Sequence, residues 1–434
     1  MSVESQSPAT AAATAAGCPV HFEAAAPAAA SGCPVRLDAA FGHEPYQTYR
    51  ELQDAGPVQP VVLPDGSEAF MVTRFEDVRQ CYFDHKRLSS NLEDAPKPPG
   101  ADSAPPVGGL VLRRDEVSGH MMINQDPPIH TRLRKLLVQA FAAKRVTAME
   151  PHIVRIANEL IDNFRDSDRA DLVSDFGKPL PVRVQSVLLG VSPAKQEQLI
   201  FDMDELTGGK DTETSQKALD RMKVLIAEEI ERKRVEPAED LLTSLVKAKE
   251  EDGRCEEIEL LAAAIHVMTA GYFGVQGMIG NCMYWLLKDT EARAQLLANP
   301  DLRTTVMDEI FRLDGPQQPG SVRYALEDVE VGGAVIPKGS MVILSLGAAS
   351  RDPRKFENPD VIDIFRENAN DSIAMGAGVH YCLASRMANT EVGLACLTML
   401  QTFPKLRLAV PDEELRWELR IPMRSLDHLP VLLR

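Results

Sequence analysis

The chain has 434 residues, 44% hydrophobic and 26% charged, which is enough apolar material for a large core; at ~150 residues per domain, length alone suggests two or three domains. Lys and Arg number 47 against 64 Asp and Glu, a net charge of −17, which argues against a general binder of nucleic acid or anionic membrane. No apolar run reaches the ~18 residues of a membrane span, the N-terminus has no basic leader, and seven cysteines without framework spacing point to a reducing compartment. The chain therefore reads as a soluble, cytoplasmic protein.

Residues 1–38 are rich in Ala, Ser, Thr and Pro and read as a disordered tail, in which Gly-Cys-Pro-Val occurs at Gly17–Val20 and again at Gly32–Val35. Residues 39–434 read as a single domain. Phe70–Val72 is expected as a short strand and Phe75–Phe83 as a helix. The Pro- and Gly-rich stretch 91–110 is expected as a long loop, a kind of segment that commonly carries function. From Thr131 to about Glu250 the pattern is helical, with breaks near Pro179–Pro181 and Ser192-Pro193. Residues 256–288 read as one helix of roughly 50 Å. It is apolar on nearly every side (Leu260, Leu261, Ile265, Val267, Met268), as in a helix that runs through the middle of a protein. Val329–Val331 and Ala334–Ile336 flank Gly332-Gly333 as a hairpin, and Met341–Leu346 follows as a strand. The fold class is mostly α with minor β, and no strand–helix alternation supports a nucleotide-binding parallel sheet.

The sharpest local signal is Met375-Gly376-Ala377-Gly378-Val379-His380-Tyr381-Cys382-Leu383-Ala384. Two glycines one residue apart permit positive φ and close backbone approach. Cys382 follows directly, just before a helical stretch, Leu383–Leu400, whose N–H groups and dipole favour a thiolate. Zinc fits poorly, because the closest other cysteine, Cys396, lies 14 residues on in the same helix.

This loop resembles the heme-ligand loop of the heme-thiolate cytochromes P450, Phe-Gly-x-Gly-x-His-x-Cys-x-Gly, with Met375 and Ala384 departing from it. The resemblance implies a long helix over a buried heme b (iron protoporphyrin IX), Cys382 as the axial iron ligand and His380 against a propionate. Asp126–Arg134 resembles the family helix in which a His and an Arg four residues later hold the propionates, here His130 and Arg134, which share a helix face. Arg323 matches a third propionate contact. Glu309-Ile310-Phe311-Arg312 resembles the Glu-x-x-Arg helix; Glu309 lies on the stripe of Leu302, Val306 and Leu313, so its carboxylate faces inward and needs Arg312 as a buried structural partner. Phe356–Asp363 also fits, but Val361 and Ile362 replace the usual Arg and Phe, leaving Arg366 to complete the lock.

In this family the central helix carries Ala/Gly-Gly-x-Asp/Glu-Thr-Thr, whose acid and alcohol relay protons to iron-bound dioxygen. The matching residues are Ala270-Gly271-Tyr272-Phe273-Gly274-Val275: Phe273 stands for the acid, and Gly274 and Val275 for the alcohols. Ala270, Phe273 and Gly274 are thus expected at the catalytic face without a relay, with His266 and Thr269 as alternative proton carriers. Gly271, Gly274, Gly277 and Gly280 recur every third residue, either for close helix packing or to bare the helix toward heme or substrate.

The resemblance implies an oxidoreductase of specialised metabolism that oxidises a mid-sized, partly aromatic small molecule with dioxygen and ferredoxin electrons. Alternatives are oxidative coupling or ring closure of a small cyclic peptide without oxygen transfer, peroxide-driven oxidation, and a non-catalytic heme-binding helper. No flavin or nicotinamide fingerprint is present, so the ferredoxin reductase would be separate. Arg132, Lys135, Lys144 and Arg145, in an acid-free stretch, are candidates for a ferredoxin-docking patch. Substrate contacts are expected from the 91–110 loop, Gln318, Pro319, Ser321 and Ile421.

Overall fold

The computed structural model describes residues 34–94, 115–208, 212–250, 253–420 and 422–434. The expected tail up to residue 33, most of the 91–110 loop and Ile421 lie outside the described residues. Within the sequence expected as tail, order already begins at Val35–Arg36 (β1), which pairs in parallel with Val58–Val62 (β2), and Leu37 is fully buried. β2 continues antiparallel to Glu68–Val72 (β3), followed by Leu88–Ser89 (β4), Gly320–Ala325 (β5) and Met341–Ser345 (β6) in one mixed sheet of order β1-β2-β3-β6-β5-β4. The β5–β6 register sets Val322 opposite Ile343 and Arg323 opposite Val342. The hairpin Val329–Val331/Ala334–Ile336 forms as expected.

Helices make up the rest. Those that build the site are Ile129–Leu137 (α1), Pro179–Leu189 (α2), Glu257–Lys288 (α3), Arg303–Asp314 (α4) and Ser385–Thr402 (α5). α3 starts at a reciprocal capping box between Glu256 and Glu259, which satisfies free N–H groups at its first turn. It is long and apolar enough to cross a membrane by length and composition, but most of it is buried against α2, α5 and the strand Met423–Leu426. α2 begins at Pro179, where a missing N–H costs nothing, and ends at Gly190 in the left-handed region.

The glycine row of α3 divides by position. A Cβ at Gly277 would lie 2.9 Å from Pro316 Cβ, and one at Gly271 2.5 Å from Gln185 Cδ, so both sites are close packing. At Gly274 nothing lies within 4 Å, and that position opens into the cavity described below.

Candidate active site

The cysteine loop is shaped by backbone demands. Gly376 and Gly378 have φ of 74° and 63°, and a Cβ on Gly378 would meet the Tyr82 carbonyl oxygen at 2.6 Å, so glycine is required there. Cys382 N–H donates to Met375 O at 2.9 Å, which closes the loop and presents Sγ into a cavity of about 580 Å³. Burial pushes the Cys382 thiol up, while the Ala384 N–H, just ahead of α5, and the Arg134 charge act the other way.

Around the same cavity converge His130 and Arg134 from α1, Arg323 from β5, and His380. The His130 and His380 rings lie 4.4 Å apart, tilted by 55°, and both ring nitrogens of His130 are buried without a partner. His380 Nε2 lies 3.1 Å from Ser90 Oγ, and Arg323 donates to Val322 O at 2.7 Å. Burial, then Arg134, pushes His130 down to about 4; burial, then Arg323, carries His380 far below the usual imidazole range. Arg134 makes no ion pair among the described residues, and burial lowers it, as it lowers Arg323. The nearby carboxylate of Asp126 is already engaged by Ser89 Oγ at 2.5 Å and the Ser90 N–H at 3.1 Å. Four nitrogen donors face one space and none of them is paired with a carboxylate among the described residues, a donor set that fits a dianion, and the two propionates of heme beside a free thiol sulfur match it.

Tyr82 ties this wall together. Its carbonyl lies under Gly378, its hydroxyl donates to Ser321 Oγ at 2.6 Å, and its ring faces the Arg323 guanidinium at 5.4 Å.

Glu309 is fully buried and held bidentately by Arg312, Nε to Oε2 at 2.7 Å and an η nitrogen to Oε1 at 2.9 Å. Arg366 supplies a third arm, Nε to the two carboxylate oxygens at 3.0 and 3.2 Å, and the Asp363 N–H adds a bond at 3.0 Å. The arginine that Val361 replaces is supplied from five residues further on.

Opposite Cys382, Ala270, Phe273, Gly274 and His266 line the cavity. Thr269 does not take part: it is buried, and its hydroxyl donates to Ile265 O at 2.9 Å. Ser321 lines the cavity, but Gln318 and Pro319 do not. Instead the Gln318 amide donates to Gly315 O at 3.0 Å and Asp314 Oδ1 at 3.3 Å, in a buried polar cluster with Tyr49, Tyr46 and Arg424. Gln317, Pro316 and Val322 provide the lining from this segment. Arg132 is likewise withdrawn from the expected basic patch by a two-armed bond to Glu259, one arm at 2.8 Å, whereas Lys135 and Lys144 are exposed.

Two lining groups escape a reading of the sequence. Gln185 of α2 looks like an ordinary polar helix residue until Gly271 brings it against α3. Glu391, two and a half turns beyond Cys382, is fully buried with both carboxylate oxygens unpartnered, and burial holds it well above the ordinary carboxyl range.

The family model described as Cytochrome P450 matches residues 184–415. Cytochrome P450 107B1 of Saccharopolyspora erythraea is 35% identical over 402 residues, spanning 90% of this chain and 96% of the relative. The mycinamicin IV hydroxylase/epoxidase of Micromonospora griseorubida is 36% identical over 395 residues, with 88% and 94% covered. Among solved structures, the ligand-free P450 monooxygenase TamI superposes with a TM-score of 0.83 at 32% identity, covering 93% of this chain and 94% of the other.

Proposed function

Because the chain belongs to the cytochrome P450 family, whose cofactor is heme b, we propose that it is a monooxygenase of specialised metabolism that oxidises a mid-sized, partly aromatic small molecule, using dioxygen and electrons from a separate ferredoxin and ferredoxin reductase. Relatives named for mycinamicin IV and seen with tirandamycin C bound support a substrate of that size class. The observation that carries the reading is the convergence of Cys382 with four nitrogen donors, none of them paired with a carboxylate among the described residues, on one cavity.

When bound, the heme supplies the activation of dioxygen. Cys382 Sγ would hold the iron, and the Ala384 N–H with the start of α5 favours the negative charge this needs. His130, Arg134, Arg323 and His380 would hold the propionates, which would give the unpartnered His130 ring its missing hydrogen bonds. Glu309, Arg312 and Arg366 position the segment that leads into the cysteine loop. On the facing wall, Ala270, Phe273 and Gly274 offer the substrate an apolar surface without an acid or alcohol, so a proton would have to come from a bound water or a substrate hydroxyl. That bare wall also favours a second reading, oxidative coupling or ring closure of a small cyclic peptide, in which no oxygen is transferred.

The test is a carbon-monoxide difference spectrum of the reduced protein, with Cys382→Ser as control. A strongly red-shifted Soret band is expected in the wild type alone, and an unshifted band there overturns thiolate ligation. Turnover with a surrogate ferredoxin and reductase separates enzyme from helper, and a peroxide-only reaction would replace the ferredoxin reading. Product mass separates gain of oxygen from loss of two hydrogens.

A further inference from the structure

Gln185 lies in the run Pro-Leu-Pro-Val-Arg-Val-Gln-Ser-Val-Leu-Leu, flanked at helical spacing by the buried Pro181, Val182, Leu188 and Leu189. It is a polar side chain on the apolar stripe of α2, only 3% exposed. A Cβ at Gly271 would come within 2.5–2.8 Å of its Cδ, Nε2 and Cγ, so the bare glycine is what lets the carboxamide lie against α3. Gln185 lines the main cavity, and its Oε1 has no partner. The neighbouring Ser186 hydroxyl is spent on Val182 O at 2.8 Å.

Five residues before Gly271, His266 repeats the pattern from α3. It is 6% exposed, lines the same cavity and leaves Nδ1 unpartnered. The stretch of α3 that lines the same cavity is otherwise apolar: Val267, Ala270, Phe273, Val275 and Met278, with Gly271 and Gly274. Buried polar groups left unpaired are costly in proportion to their desolvation, and a wall of this composition has no reason to hold two unless a ligand meets them.

We infer that Gln185 and His266 form a hydrogen-bonding subsite that recognises an amide, as a lactam or peptide group, on the substrate. The inference rests on the proposed function and narrows its substrate class. A carboxamide offers one donor end and one acceptor end whichever way it is flipped, and an amide ligand returns both. Burial, then the His130 ring, pushes His266 down to about 4, so the ring is neutral at pH 7 and its unpartnered Nδ1 accepts or donates according to tautomer. A ketone, ether or ester only accepts and leaves one acceptor of the subsite unmet.

The experiment uses heme-loaded protein and two probes that differ by one atom group, 3,4-dihydro-2(1H)-quinolinone (lactam N–H) and 3,4-dihydrocoumarin (ring O). Affinities are read by calorimetry, independently of turnover and of the Soret band. Wild type is expected to prefer the lactam by about tenfold, the scale of one or two neutral hydrogen bonds. Gln185→Leu and His266→Leu should each cut that preference at least threefold, and Gly271→Ala should act like Gln185→Leu by displacing an unaltered glutamine. Equal affinity of the two probes for wild type, or a preference untouched in both leucine variants, overturns the subsite and shows that water alone satisfies the pair. A normal carbon-monoxide spectrum in every variant keeps such a failure distinct from failure of the heme-thiolate reading.

Discussion

Replacing the four glycines of α3 one at a time by alanine should separate them by what each Cβ meets. In a helix interior the change stabilises by about 0.8–1 kcal/mol through backbone entropy. At Gly274, with nothing within 4 Å, and at Gly280, where Val173 Cγ2 lies at 3.7 Å and Leu426 Cβ at 3.9 Å, that gain is realised in full. At Gly277 the new methyl meets Pro316 Cβ at 2.9 Å and Ser425 Cβ at 3.3 Å, both fixed to backbone; overpacking costs about 1–3 kcal/mol and reverses the sign. Gly271 falls between, because the Gln185 carboxamide 2.5 Å away is flexible enough to swing aside. Urea unfolding of the heme-loaded protein, followed by far-ultraviolet dichroism, should therefore rank the variants as Gly274→Ala and Gly280→Ala above wild type, Gly271→Ala near it, and Gly277→Ala below. A Gly277→Ala protein as stable as Gly274→Ala would refute the division of the helix into packed and open glycines.

Arg312→Leu should cost about 3–5 kcal/mol by stranding the buried Glu309 carboxylate, and Arg366→Leu less, since the bidentate bond to Arg312 survives; equal unfolding midpoints for both variants and wild type would contradict the lock. Glu391 has a folded pKa raised by burial, so above the unfolded carboxyl pKa it subtracts stability as pH rises, by up to ~1.4 kcal/mol per pH unit. Glu391→Gln should match wild type near pH 4 and gain on it steadily from pH 5 to 8 in unfolding titrations; a constant offset would argue that the carboxyl is ionised in the fold. Gly274→Thr restores an alcohol to the bare wall and should change turnover less than twofold; a large gain would show that the missing relay limits the enzyme. Lys135→Glu with Lys144→Glu should slow reduction by a surrogate ferredoxin several-fold at low salt, with the difference vanishing at high ionic strength while substrate affinity stays unchanged.

What the sequence made legible was local. α3 could be bounded within a residue because it is apolar all round, and the cysteine loop because two glycines, a histidine and a cysteine sit within seven positions. The long-range pairings were not legible. β2 carries Pro60 in its middle and β5 carries Arg323, so neither shows a clean alternation, and each is a strand because of neighbours far along the chain. Gln318 looked free to face a ligand because Tyr49 and, through the nearby Asp314, Arg424 reach it only in three dimensions; the Arg424–Asp314 bond of 2.8 Å spans 110 residues. Gln185 was hidden for the same reason, its burial depending on a glycine in another helix. Arg366, by contrast, could be named in advance, since only a few residues separate it from the place it fills.

Tyr82 has a mechanical consequence. One residue props the cysteine loop with its carbonyl, pins the cavity-lining strand through Ser321 and pads the Arg323 cation with its ring. A shift of the cysteine loop thus bears on the same residue that holds the cavity-lining strand in place. Loop, strand and cation share one side chain and its backbone as a common footing.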